Sequence, residues 1–255
     1  MNPTPIRKRR AFTLTEVIVI LFVIAICVLA ALILPGLSRV KGKPTRIMCV
    51  NNLKEIGTAC RLWAGDNSDL VPAQQTVSHG GWKDLLTNAD QGAICWTNFA
   101  IMSNELGQSP KVVVCPDDAR LAAADFATDF KDNTHLSYFV GVSANDAYPQ
   151  SLLSGDRNLG RGTKPDRDYG FSPQNGKGND VAIQTNTMTG PVSWSLKMHS
   201  HGSRAGAGNI LLGDGSAQQV SSAEFRGNWQ PFAGQTTNWP AGHVPASPSV
   251  RVVFP

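Results

Sequence analysis

The sequence predicts an α+β protein with its helices gathered at the N-terminus and its strands behind them. Three observations carry that prediction. An unbroken apolar run extends from Val17 to Leu34. Beyond it, Val50, Leu53, Ile56, Cys60 and Trp63 recur at three- and four-residue intervals, the period of a helix with one buried stripe. Finally, the stretch from Asn209 to Val220 reads as a hairpin, because Asp214-Gly215 tolerates the positive φ angles of a tight type I′ turn.

The apolar run, as a helix, spans roughly 27 Å, close to the thickness of a bilayer core and longer than the core of an ordinary secretory signal. Arg7-Lys8-Arg9-Arg10 precedes it, and Glu16 sits at its mouth as the sole carboxylate of the segment. An ionisable group at a membrane segment is costly to place there and marks a functional position. Two blander readings compete. Val28-Leu29-Ala30 loosely fits a small-residue signal cleavage site, whereas Ile26 before Cys27 is too bulky for a lipoprotein signal. Charge alone does not set the orientation, since Arg39, Lys41, Lys43 and Arg46 balance the basic cluster on the other side.

The order basic cluster, Ala11-Phe12-Thr13-Leu14-Thr15-Glu16, then apolar helix resembles a type IV prepilin, whose signal is shared by type IV pilins and the pseudopilins of type II secretion. The resemblance implies that a membrane peptidase cuts between Ala11 and Phe12, methylates the new Phe12 amine, and requires Glu16 four residues on. Ala11 departs from the Gly usual before the cut and is its nearest steric substitute. In an assembled fibre the resemblance implies a pairing of Glu16 with the methylated amine of a neighbouring subunit, which compensates a charge that would otherwise be buried alone.

Further patches extend the resemblance. Cys49-Val-Asn-Asn-Leu-Lys-Glu-Ile-Gly, Met102-Ser-Asn-Glu-Leu, Val114-Cys-Pro-Asp-Asp, Ser137-Tyr-Phe-Val-Gly, Ser154-Gly-Asp-Arg-Asn-Leu and Gly208-Asn-Ile-Leu-Leu-Gly-Asp-Gly-Ser are similar to the large pseudopilin-like proteins of planctomycete and verrucomicrobial bacteria. The implied fold is pilin-like: a long N-terminal transmembrane helix packed on an antiparallel β-sheet, with loop-rich C-terminal insertions.

The expected layout is a leader over residues 1–11, a pilin helix over 12–65 with its membrane part at 17–34, a periplasmic α+β domain over 66–230 and an irregular tail over 231–255. Pro35-Gly36 and Lys41-Gly42-Lys43-Pro44 are the expected weak points of the long helix. Trp96 to Leu106 reads as a helix, and Lys111 to Cys115, Ser137 to Val142, Val181 to Asn186 and Val192 to Lys197 read as strands. Ser221 followed by Glu224 matches a capping box for a short helix. The tail is rich in Pro, Gly, Thr and Asn, which argues for irregular structure.

Composition excludes more than it identifies. The 255 residues suffice for one soluble domain beside the membrane helix. Four of the 23 basic residues lie in the leader, and the other 19 match the 19 acidic ones, so no basic nucleic-acid surface is expected. Cys27 reads as a small apolar residue of the membrane helix, which leaves Cys49, Cys60, Cys95 and Cys115. In an oxidising compartment that even count favours disulfides. Cys49 and Cys60 lie roughly 16 Å apart along one helix and cannot bridge each other. The favoured pairing is Cys49 to Cys115, tying helix to sheet, with other pairings open.

No Gly-x-Ser-x-Gly elbow, phosphate-binding loop or dinucleotide fingerprint occurs, so no enzymatic activity is expected. His199-Ser-His201 reads as a solvated pair in a polar segment, and Asp117-Asp118 as a turn or helix start after Pro116. The lack of a close Cys-x-x-Cys pair argues against zinc. Calcium is the one ion the resemblance brings in. Asp66, Asn67 and Asp69, or Asp156 with Asp214, are oxygen-rich, but neither set has the required spacing, and no cofactor is expected.

The expected function is therefore structural: a single-pass inner-membrane pseudopilin subunit of a type II secretion pseudopilus or related fibre. Its partners are the prepilin peptidase, further subunits and an assembly platform, with no nucleic acid. The alternatives are a surface pilin or adhesin and, below that, a membrane-anchored periplasmic binding protein or enzyme.

Overall fold

The computed structural model describes residues 13–38, 42–87, 94–144, 149–182, 191–200, 205–229 and 251–255. It comprises two compact units, residues 1–43 and 44–255. The first contains helix α1, Leu14–Ser38, which is long and apolar enough over Leu14–Ala31 to cross a membrane. Its apolar side chains are exposed in the isolated chain, Leu14 at 78 % and Phe22 at 66 %, so they need lipid or other apolar helices around them. The helix continues through Pro35 and Gly36 rather than breaking there.

The second unit is built on helix α2, Gly42–Asp66, and, among the described residues, on eight strands. Pro44 falls in the first turn of α2, where its missing N–H costs no helical hydrogen bond. The buried stripe of α2 runs Cys49, Leu53, Ile56, Cys60, Trp63, with Val50 only half-buried at its edge. Strands β1 (Tyr138–Gly141), β2 (Leu152–Asp156), β4 (Asn179–Ala182), β6 (Ala207–Leu212), β7 (Ala217–Ser221) and β8 (Arg251–Phe254) form a six-stranded sheet in the order β4-β8-β1-β2-β6-β7. Its neighbouring strands are antiparallel, as are β3 (Leu159–Arg161) and β5 (Val192–Trp194) in a separate ribbon.

Both faces of the sheet are buried, and the alternation of side chains sorts them. Tyr138, Val140, Leu153, Leu211 and Val253 join the α2 stripe in one core. Phe139, Leu152, Ile210, Leu212, Val252 and Phe254 join Leu159, Val192, Trp194, Phe225 and Trp229 in a second. Gly57 permits the close approach of α2, since a Cβ there would lie 2.9 Å from Leu211 Cδ1. The fold is thus α+β with an N-terminal apolar helix and an antiparallel sheet, consistent with a pilin-like architecture.

Several local expectations are corrected. Residues Arg251–Phe254 form an interior strand, pairing Val252 with Gly141 and Val181, so the chain beyond 231 is not irregular throughout. Residues 231–250 lie outside the described set. The segment expected as a strand at 111–115 is a 3-10 helix at Pro110–Val113, because Pro110 supplies the fixed φ of a helical first turn. The helix expected over 96–106 is reduced to α3, Thr97–Ile101, followed by turns that end in left-handed Gly107 and Gln108. In the β6–β7 hairpin, Gly215 N–H donates to Leu212 O and Leu212 N–H to Ser216 O, and Gly215 takes φ 77°. That is a three-residue loop with a glycine bulge, not the two-residue type I′ turn. The Ser221–Glu224 capping box is present and opens α4, Ser222–Asn228.

Candidate functional site

Two places in the molecule hold charge against an apolar background. The first is the start of α1. Glu16 Oε2 accepts hydrogen bonds from the Thr13 backbone N–H at 2.8 Å and the Thr13 hydroxyl at 2.9 Å, while the Glu16 N–H donates to Thr13 Oγ1 at 3.4 Å. Thr13 and Glu16 thus form a capping box of their own, satisfying helix-terminal groups that the bilayer could not. The sequence carries the signal as Thr-x-x-Glu before an apolar run, beside the assembly role that the resemblance implies for Glu16. Ala11 and Phe12 lie outside the described residues.

The second place is a polar knot inside the 44–255 unit, where five of the resembling patches meet. Cys49 of α2 and Cys115 are joined by a disulfide across 66 positions, and both are fully buried. Asn52, one turn further along α2, donates to Val114 O at 3.0 Å. Beyond Cys115 the chain turns through Asp117 and Asp118. Arg157, fully buried after β2, grips Asp118 with two bonds, Nε to Oδ2 at 2.7 Å and Nη2 to Oδ1 at 2.8 Å, and Ser137 Oγ donates to Oδ2 at 2.7 Å. The Arg157 guanidinium also donates to Ser172 O at 3.1 Å and lies 3.5 Å from the centre of the Tyr169 ring.

His199 completes the knot. It lies in the 3-10 turn Met198–Ser200 and is 2 % exposed, so the expectation of a solvated histidine fails. Its Nε2 is 3.1 Å from Asp156 Oδ2 and 3.5 Å from Cys115 Sγ, and its Nδ1 is 3.2 Å from Asp117 Oδ2. The Arg46 guanidinium of α2 donates to its backbone carbonyl. Asp156 Oδ2 further accepts from the Asn209 backbone N–H at 2.6 Å and Nδ2 at 2.9 Å, while Asp156 Oδ1 is buried without a hydrogen-bond partner. Asp117 and Asp118 are therefore parts of a buried ionic network rather than a simple turn. His201 lies outside the described residues.

The electrostatics follow from these contacts. Burial favours the neutral imidazole of His199, but Asp156 and Asp117 outweigh it and hold the ring above its ordinary pKa. Burial likewise pushes the Asp118 carboxyl up, and Arg157, Ser137 and Arg120 overcome that, leaving it below the usual carboxylate range. Burial and the like charge of Arg157 push Arg120 down to about 10.

The residues considered for calcium do not converge. Asp156 belongs to the knot, whereas Asp214 sits in the β6–β7 turn with its Oδ1 occupied by the Ser216 N–H at 2.8 Å and hydroxyl at 2.6 Å. At the end of α2, Asn67 Nδ2 donates to Trp63 O, and the Asn67 and Asp69 amides both donate to Ala64 O, closing the helix.

An apolar helix long enough to cross a membrane, with one carboxylate near its start, followed by a helix-on-sheet domain, is consistent with a pilin-like protein. Residues 6–32 match the family model described as the prokaryotic N-terminal methylation motif, a match that spans the basic cluster, Ala11-Phe12, Glu16 and most of the apolar run. In this segment the chain is a type IV prepilin-like protein. No curated protein and no solved structure matches the chain.

Proposed function

We propose that this chain is a structural subunit of a type II secretion pseudopilus or a related type IV pilus-like fibre. In this reading prepilin peptidase cuts between Ala11 and Phe12 and methylates the Phe12 amine. The domain beyond α1 then stands on the periplasmic side of the inner membrane until an assembly platform draws the subunit into the fibre. The role is mechanical, and the chain catalyses nothing.

The observation that carries the reading is Glu16: one carboxylate, four residues after Phe12, on a helix whose surface is otherwise apolar and uncovered. In the bilayer Thr13 satisfies that carboxylate. When helices leave lipid and bundle, the carboxylate is available to the methylated amine of a neighbour, and the apolar surface of α1 is covered again. Unpaired, a charge in such a bundle would be strongly unfavourable.

N-terminal mass analysis of the membrane protein, with and without the peptidase, tests the processing step. The expected result is a peptidase-dependent N-methylated Phe12. An intact leader, or a terminus near Ala31, would overturn it. Glu16→Ala tests the pairing: membrane insertion should persist and fibre assembly should stop. Normal fibres from that variant would sink the pairing argument, and fibres extending far outside the cell would favour a surface pilin over a pseudopilin.

A further inference from the structure

The cysteine sulfurs of Cys49 and Cys115 and a ring nitrogen of His199 all lie within 4.8 Å of one another, fully out of solvent. Asp156, 0 % exposed, stands at the edge of this group, with Oδ2 at 3.1 Å from His199 Nε2 and Oδ1 buried without a partner, and must turn toward the sulfurs to serve as a fourth ligand. A buried carboxylate oxygen with nothing to accept is costly, and an unfilled donor set is one explanation of it.

We propose that, when the Cys49–Cys115 bond is reduced, Cys49, Cys115, His199 and Asp156 bind one zinc ion. Two thiolates, one imidazole and one carboxylate are a donor set that suits tetrahedral zinc. The sulfurs must part to roughly 3.7 Å, the edge of a tetrahedron with Zn–S bonds of about 2.3 Å. With the two Cα atoms 5.2 Å apart, side-chain rotation achieves this without moving the backbone. The surrounding groups orient the ligands as metal sites require. Asp117 Oδ2 lies 3.2 Å from His199 Nδ1, a contact outside hydrogen-bond geometry here that a small turn of the ring would convert into one, leaving Nε2 as the ligating nitrogen. Asn209 holds Asp156 by its backbone N–H and side-chain amide.

The chemistry balances as follows. A dithiol reductant passes two electrons and two protons to the Cys49–Cys115 bond, giving two thiols and its own disulfide. Zinc then displaces both thiol protons and any proton on His199 Nε2 to solvent. In the reverse direction a disulfide oxidant removes two electrons from the thiolates, closes the bond and frees the ion. In either state Cys49 on α2 stays tied to the segment after Val114, covalently or through metal. The site does not depend on whether the chain polymerises.

The test uses the full chain in detergent micelles, reduced with a phosphine, freed of reductant without oxygen, and titrated with cobalt(II) as a spectroscopic probe. The expected result is a tetrahedral cobalt spectrum with thiolate charge transfer, saturating at one equivalent, displaced by zinc and absent from the oxidised protein. Asp117→Asn should weaken binding by roughly 10–100-fold, the range for residues that orient a metal-bound histidine. Circular dichroism monitors the fold throughout. Reduced, folded protein without these bands overturns the proposal. So does full affinity in His199→Ala, or bands that survive Cys49→Ser/Cys115→Ser and therefore come from Cys27, Cys60 or Cys95. Reduced protein that loses its fold even with zinc present overturns it as well.

Discussion

Helix α1 and the knot around Asp118 and His199 solve the same problem at different ranges. Each keeps carboxylates in surroundings that disfavour charge. At the start of α1 the partner of Glu16 is three residues away, so the solution is local. In the knot, Asp118 meets Arg157 across 39 positions and Asp156 meets Asn209 across 53. A locally satisfied charge can change partners without disturbing its fold, which suits a group proposed to join a neighbouring subunit. A charge satisfied across the chain is committed, because its partners are also what hold the segments together.

Removing one side of the buried pair tests that commitment most severely. Arg157→Met leaves Asp118 buried without its fork of donors, and destabilisation of roughly 3–5 kcal/mol is expected in denaturant unfolding of the full chain. Asp118→Leu combined with Arg157→Met should recover part of the loss, because the two charges leave together and what remains is Arg120 without the Asp118 carboxylate beside it. A single variant as stable as the parent would show that the knot is not committed. The pair also sets an acid limit. The native pKa of Asp118 is depressed, so its contribution is complete above the unfolded value of about 3.9 and is lost as pH falls through the lower native value. Arg157→Met should weaken that acid transition when stability is followed from pH 6 downward.

The covalent tie is next in size. Opening a loop of 66 positions with Cys49→Ser/Cys115→Ser removes a restraint on the unfolded chain worth roughly 2–4 kcal/mol. The loss should be visible in the same unfolding assay under oxidising conditions. Processing at Phe12 should be untouched, since it depends on the other region. A processing defect in that variant would break the separation between the two.

How far each region was legible follows from the same difference in range. The α1 run, the α2 stripe, the Ser221–Glu224 box and the place of the β6–β7 hairpin are set by neighbours within one or two turns, and periodicity found them. Thr13 with Glu16 was equally local and was missed because Glu16 had already been given a role. Strand β8 was hidden for a physical reason: Arg251–Phe254 is a four-residue segment with three apolar residues, whose order comes from pairing with β1, more than a hundred positions away. His199 lies in a sequence of Ser and Gly that looks solvent-facing, yet Asp117, Asp156 and Cys115 surround it. No pattern near residue 199 announces them. The cue was indirect, in that the patches Val114-Cys-Pro-Asp-Asp and Ser154-Gly-Asp-Arg-Asn-Leu each embed charge among apolar residues, as buried ion pairs do.

The smallest effect compares the two capping boxes, Thr13 with Glu16 and Ser221 with Glu224, which have the same bonds in different settings. Ser221 Oγ accepts from the Glu224 N–H at 3.3 Å, and Glu224 Oε2 accepts from the Ser221 N–H at 2.8 Å. Water can replace both bonds, so Ser221→Ala should cost only about 1 kcal/mol in unfolding and leave assembly unchanged. Thr13→Ala removes the hydroxyl from a helix start beside lipid, where water is a poor substitute, but the helix is already enforced by the bilayer. Its expected effect is therefore not on folding but on Glu16, whose carboxylate keeps the backbone N–H and loses the hydroxyl donor. Assembly measured against Glu16→Ala separates the outcomes. A small shift in fibre yield fits a carboxylate that exchanges partners, whereas a loss as complete as that of Glu16→Ala would mean that Thr13 belongs to the pairing itself.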